Sequence, residues 1–296
     1  MEIKHLKEKL RLRCEQVKTL PNFHEAISLH YQINQEIYRK QPLFYKIILQ
    51  ETRFNIVLAA CCLVYGHQAS SISQIKELCA HYKIASPNSV IAIISLLKVG
   101  GRLRTFRDSQ DRRKILIEPT DKGLNDLKHY MEGTFRPLAL LCPGYSFSPS
   151  LLDRKQQRRD FFNRAADYLF RGIVYKNMLP EACLFLDKDA GRMIMLELYS
   201  EARRQSQEPS VIICCSWKAL ARKFSVSRTH IRRLIQAAAE RELLSELPSG
   251  DILLHPAYFT LVEDYMGFYF SWAFHYLNIE PESFIQRPPA NRSGPE

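Results

Sequence analysis

At 296 residues the chain has room for two domains of ordinary size. Its 46% hydrophobic and 25% charged residues are the proportions of a folded soluble protein, which excludes global disorder and a small disulfide-stapled scaffold. The formal net charge of +11 attracts a polyanion; nucleic acid is the commonest one in a cell, with acidic membranes and acidic proteins as the competing partners.

Residues 1–20 alternate leucine and charge at helical spacing up to Pro21 and predict a first helix. They lack the apolar core of a secretory signal, and the apolar stretches 54–65 and 265–277 are too short or too interrupted to span a bilayer. A cytoplasmic protein without a membrane partner is expected. Further helices are predicted over 23–39 and 52–66. Ser71 or Ser73 caps a helix reaching Tyr82. Ser86 caps the next, with Pro87 in the first position, where its missing N–H costs nothing. That helix runs to Val99 and ends at Gly100-Gly101. Two strands follow near 103–106 and 114–117, with the polar segment 107–112 as a hairpin tip. Thr120 then caps a helix to about Met131.

Gly133, Pro137, Pro143, Gly144 and Pro149 crowd the stretch 133–150 and mark a domain boundary. The expected domains are 1–136 and 151–280, joined by a linker at 137–150 and followed by a flexible tail at 281–296. After the linker the order of elements recurs. Helices are predicted over 151–177 and 187–205, then after Ser216 and after Ser227. A Pro248-Ser249-Gly250 turn sits between short strands, and an aromatic helix covers 256–277. That helix either packs between the halves or lines a ligand pocket.

The eight cysteines sit in apolar helical patterns with no Cys-x-x-Cys pair, and the histidines show no metal-ligand spacing. No phosphate-binding loop, nucleophile elbow or dinucleotide glycine motif occurs. No metal, cofactor or enzymatic activity is expected.

The strongest local signal is the segment 216–241, with seven Lys or Arg against Glu240 alone. A short helix and a tight turn lead to a helix whose Ile231, Leu234, Ile235 and Ala238 form one buried stripe. Arg228, Thr229, Arg232, Arg233 and Gln236 then face outward. Such a helix can enter a major groove, because arginine donates two hydrogen bonds to guanine and a helix N-terminus favours phosphate. The candidate contacts here are Lys218, Ser227, Arg228, Thr229, His230, Arg232 and Arg233. The second signal is Arg102, Arg104, Arg107, Arg112, Arg113 and Lys114 against Asp108 and Asp111. An arginine-rich hairpin tip suits the narrow minor groove. The patch Arg154-Lys155-Gln156-Gln157-Arg158-Arg159 either meets phosphates or solvates a helix start.

Residues 71–131 carry a serine-capped helix (Ser86-Pro87-Asn88-Ser89-Val90), Gly100-Gly101, the segment Arg107-Asp108-Ser109-Gln110-Asp111-Arg112-Arg113, and a threonine-capped start (Thr120-Asp121-Lys122-Gly123). In this they resemble the MarR family of winged-helix transcription regulators. The resemblance implies a DNA-binding regulator whose wing arginine, Arg112 or Arg113, reaches a minor groove and is oriented by Asp108 or Asp111. Ser86, Asn88, Ser89, Arg104, Arg107 and Lys114 would be the other contacts of this unit. It also implies a small aromatic effector and a homo-oligomer as possible partners. The first recognition helix departs from the family's pattern in its apolar run Val90-Ile91-Ala92-Ile93-Ile94. A second match, in the order of elements only, follows over 187–277.

The expectation is a mainly α-helical protein of two winged helix-turn-helix domains with small β-hairpin wings, arranged as a pseudo-dimer within one chain. It would act as a sequence-specific double-stranded DNA-binding regulator. Two other readings stay open. One is a plasmid-type replication initiator, a group that also uses tandem winged helices. The other is a protein-interaction adaptor, favoured by the apolar first recognition helix.

Overall fold

The residues described by the computed structural model (2–66, 70–214 and 216–280) form a mainly α-helical chain with two small antiparallel sheets. Four helices come first: α1 (Glu2–Lys18), α2 (Phe23–Lys40), α3 (Pro42–Ile48) and α4 (Glu51–Gly66). Next are β1 (Ser70–Ser71), α5 (Ile72–His81), α6 (Pro87–Val99), β2 (Leu103–Arg107), β3 (Ile115–Pro119) and α7 (Asp121–Leu141). A 3-10 turn at Pro149–Leu152 leads to α8 (Lys155–Phe170) and the short α9 (Tyr175–Met178). A second such turn, Pro180–Ala182, precedes α10 (Cys183–Leu186) and α11 (Gly191–Gln205). The chain closes with β4 (Val211–Ile213), α12 (Trp217–Phe224), α13 (Arg228–Ala239), β5 (Leu244–Glu246), β6 (Ile252–Leu254) and α14 (Pro256–Leu277).

Hydroxyl side chains start the helices around both sheets. Ser86, Thr120, Ser216 and Ser227 each accept a hydrogen bond from the backbone N–H three residues on. Ser71 does the same for Gln74, whose side-chain oxygen accepts from the Ser71 N–H in return. These bonds satisfy N–H groups that have no acceptor inside the helix. The sheets share one order, β1-β3-β2 and β4-β6-β5, and every pairing is antiparallel.

The larger core draws on residues from before and after the predicted linker, among them Ile27, Phe135, Phe162, Met195, Phe224 and Phe270. A smaller core under the first sheet gathers Ile56, Ile75, Val90, Ile94, Leu103 and Ile117, with Leu169 reaching in from α8. Each such side chain, fully buried, stabilises the fold by ~1.5–3 kcal/mol before the cost of ordering it. The three most extensive helix pairings are α2 on α7, α1 on α14 and α4 on α8.

Three predicted elements differ. The helix expected to end near Met131 runs on to Leu141, through Gly133 and Pro137, so the predicted linker begins inside it. Pro137 has no N–H for the Gly133 carbonyl one turn back. The buried His30 of α2 supplies the missing donor, its Nδ1 lying 2.6 Å from that carbonyl. Gly133 also lets α2 close in, since a Cβ there would lie 2.5 Å from Asn34 Nδ2. The helix predicted over 151–177 breaks at Gly172, whose φ of 69° is left-handed. The one predicted from 187 starts only at Gly191, where a Cβ would meet the Phe185 carbonyl oxygen at 1.9 Å. The expected tail at 281–296 lies outside the described residues. Among those described, no single helix is long and apolar enough to cross a membrane; α3 and α4 reach that length only together, and they meet at 87°.

Candidate nucleic-acid interface

The second helix pair is set by local chemistry. α12 buries Leu220, Ala221 and Phe224, and Ser225 takes a left-handed φ of 53° that ends it. The Val226 N–H donates back to the Ala221 carbonyl at 3.0 Å, which tightens the turn. Ser227 then opens α13, and Ile231, Leu234, Ile235 and Ala238 are buried as their spacing predicts. Ser227, Arg228, Thr229, Arg232, Arg233 and Gln236 are exposed, as is Lys218 on α12. Lys218, Arg228, Arg232 and Arg233 make no ion pair or hydrogen bond among the described residues.

Two basic groups of this segment leave that surface. His230 is half-buried, with Nε2 2.9 Å from the Asp189 carbonyl oxygen, so its ring braces the start of α11. Lys223 pairs with Glu197 of α11. Long-range bonds from the first half hold the turn itself. The Tyr38 hydroxyl donates to the Phe224 carbonyl at 2.8 Å, and Lys46 Nζ donates to the Ser225 carbonyl at 2.8 Å. Neither Tyr38 nor Lys46 is marked as a site residue in the sequence, because nothing local signals a partner so distant in the chain.

The first helix pair follows the same plan. Lys83 takes a left-handed φ of 55°, and the Ile84 N–H donates to the Cys79 carbonyl at 2.8 Å. Ser86 Oγ lies 3.0 Å from Ser89 Oγ, and Asn88 beside them is exposed. The outward face of α6 is mixed: Ile91 is 45% exposed and Val99 88%, beside the exposed Asn88, Ser95 and Lys98.

On the first hairpin, Arg107, Arg112 and Arg113 are exposed and unpaired among the described residues. Arg104 is exposed too but forms an ion pair with Glu118, its Nε 2.9 Å from Oε2. Among the described residues, neither Asp108 nor Asp111 pairs with an arginine side chain. Asp108 accepts from the Gln110 N–H at 2.8 Å, and Asp111 from the Arg113 backbone N–H at 3.1 Å, so both shape the turn. Lys114 stands 3.9 Å from Asp111 in an exposed pair that contributes little. Arg102, counted above as a hairpin cation, is buried. Its Nε is 2.9 Å from Asp126, NH2 donates to Gln41 at 2.6 Å, and the guanidinium lies 3.5 Å from the Phe44 ring centre.

The base of each hairpin is locked alike. The Thr120 N–H donates to the Arg102 carbonyl and its hydroxyl to the Gly101 carbonyl, at 3.1 and 2.7 Å. In the second half, the His255 N–H donates to the Leu243 carbonyl at 3.0 Å, and Nδ1 is 3.0 Å from the Glu242 carbonyl. Gly101 and Glu242, which precede the locked residues, both have left-handed φ, 70° and 56°. Gly123 completes the first lock, since a Cβ there would sit 2.1 Å from the Arg102 carbonyl oxygen. The second hairpin is short and carries Glu246 and Asp251 in place of arginine.

The described residues hold no disulfide and no group of metal-ligating side chains. Burial pushes the Cys14, Cys61 and Cys142 thiols up to about 12, which keeps them protonated and unreactive near neutral pH. No family model, no curated protein and no solved structure matches the chain.

Proposed function

We propose that the chain is a double-stranded DNA-binding regulator with two winged helix-turn-helix units in one polypeptide, of the kind residues 71–131 resemble. One observation carries the reading. Arg228, Arg232 and Arg233 are exposed on a serine-capped helix, and none has a carboxylate partner among the described residues. A cation held on a helix without a partner is free to neutralise phosphate or to donate to a base edge. Arg107, Arg112 and Arg113 supply a second such cluster on the hairpin. In this account α13 reads bases in a major groove and the first hairpin grips an adjacent minor groove. The two units differ in chemistry, so the site they recognise is asymmetric or an imperfect palindrome.

The exposed Ile91 and Val99 favour a second reading, in which α6 docks protein and not DNA. A replication initiator would use the same basic surface on a repeated origin. Footprinting of genomic fragments separates the three: an operator beside a promoter, a tandem array, or no protected DNA. The combined variant Arg228→Ala, Arg232→Ala, Arg233→Ala is expected to lose sequence preference. Full selectivity in that variant would refute the assignment of α13.

A further inference from the structure

We propose that Ser245 and His255, at the base of the second hairpin, form a nucleophilic site that hydrolyses small uncharged esters. The Ser245 hydroxyl of β5 lies 2.9 Å from His255 Nε2, and His255 Nδ1 lies 3.0 Å from the Glu242 carbonyl oxygen. A carbonyl only accepts, so Nδ1 carries the ring proton. In the neutral ring Nε2 is then bare and accepts from the Ser245 hydroxyl. A nucleophile is thus held against a base that a third group orients.

The first hairpin has no counterpart. There the Thr120 hydroxyl donates to the Gly101 carbonyl and accepts from the Gly123 N–H, which caps α7. His255 donates to the Glu242 carbonyl, but α14 has no side-chain cap. Two groups therefore stay available. One is Nε2, which meets Ser245. The other is the Ala257 N–H, the first of α14 because Pro256 has none; it makes no hydrogen bond among the described residues. A free N–H at the start of a 22-residue helix suits the oxyanion that forms when an ester is attacked. Ser245, His255 and Ala257 line one open cleft together with Ala239, Leu244 and Pro256. Ser245 and His255 are half-buried, so a substrate reaches them. The small apolar walls suit a short acyl chain. Glu242, exposed on the same cleft and without an ion pair among the described residues, disfavours an anion.

In the reaction, Ser245 Oγ attacks the ester carbonyl carbon and its proton passes to His255 Nε2. The tetrahedral adduct collapses, the bond to the alcohol oxygen breaks, and the alcohol takes that proton. Water then adds to the acyl-serine and gives a proton to Nε2. The carboxylic acid leaves as Oγ recovers the proton.

The activity is read without DNA, so it stands or falls apart from the regulator reading. The full chain is mixed with p-nitrophenyl acetate at pH 8, nitrophenolate release is followed, and the acetylated residue is mapped by peptide mass spectrometry. The expected result is a burst of one nitrophenolate per chain with the acetyl group on Ser245. Ser245→Ala should lose the burst. His255→Asn, whose new side chain is itself a good helix cap, should keep the parent's circular dichroism and acylate at least about 100-fold more slowly. The mono-p-nitrophenyl ester of succinate, an anion with the same leaving group, should react more slowly than the acetate. The proposal is overturned if Ser245 is acetylated no faster than in the urea-unfolded chain, if Ser245→Ala keeps the burst, if a folded His255→Asn reacts at the parent's rate, or if the anionic ester reacts faster.

Discussion

His30 is asked to do two things at once, and both can be measured. It is 2% exposed, packs against the rings of Tyr269 and Phe270, and satisfies the carbonyl of Gly133 that Pro137 cannot reach. Burial pushes its imidazole down from 6.5 to about 4. The unfolded chain therefore takes up a proton that the native state refuses. Stability is fully present above pH 6.5 and is lost as pH falls through the window towards 4. At ~1.4 kcal/mol per pH unit, this one group accounts for about 3 kcal/mol across that window. His30→Phe keeps the aromatic packing but orphans the carbonyl, at ~1–3 kcal/mol. Adding Pro137→Ala restores a backbone N–H one turn on and should recover part of that loss. Urea unfolding followed by circular dichroism, from pH 7.5 down to 4, compares the three proteins. Parallel pH curves for the parent and His30→Phe would refute the assignment. So would a double variant no more stable than His30→Phe alone.

Arg192→Met should cost ~3–5 kcal/mol in the same assay, because it strands the buried Glu51 without a cation, leaving only hydrogen bonds from Asn55 and the Tyr175 backbone. Burial already pushes the Glu51 carboxyl up from 4.5, so the native state holds its proton more tightly than the unfolded chain. The loss in Arg192→Met should therefore shrink as pH falls towards 4.5. Gly123→Ala should cost ~1–3 kcal/mol, because the Arg102 backbone has to move, with melting temperature as the readout. In DNA-binding assays, Arg233→Ala should relax sequence preference and cost ~1–3 kcal/mol on the preferred site. Arg112→Ala with Arg113→Ala should instead weaken all sequences about equally.

Much of this architecture is legible locally. Ser86, Thr120, Ser216 and Ser227 announce helix starts because a hydroxyl before an apolar stripe meets the first free N–H groups. The stripe of α13 follows from period, and both hairpins from the polar tip 107–112 and the Pro248-Ser249-Gly250 turn between short apolar runs. What escaped depends on partners far along the chain. α7 outlasts its own Gly133 and Pro137 because His30 stands beside it. Arg102 and Arg107 are alike as sequence, yet Asp126 and Gln41 draw the first inward and nothing draws in the second. His230 lies among outward arginines but turns to the Asp189 carbonyl. The shared core was hidden for the same reason. Gly, Pro and Ser between 133 and 150 mark a bend in the chain without telling whether the segments beyond it pack back.

If the two basic clusters neutralise phosphates, affinity for a duplex falls steeply with salt. Fluorescence anisotropy with a labelled duplex, titrated at several concentrations between about 50 and 200 mM, gives the slope of log affinity against log salt. If four or more of the six unpaired arginines on α13 and the first hairpin meet phosphate, that slope is about −4 or steeper. An affinity that ignores salt, or no binding at the lowest concentration, would contradict the account.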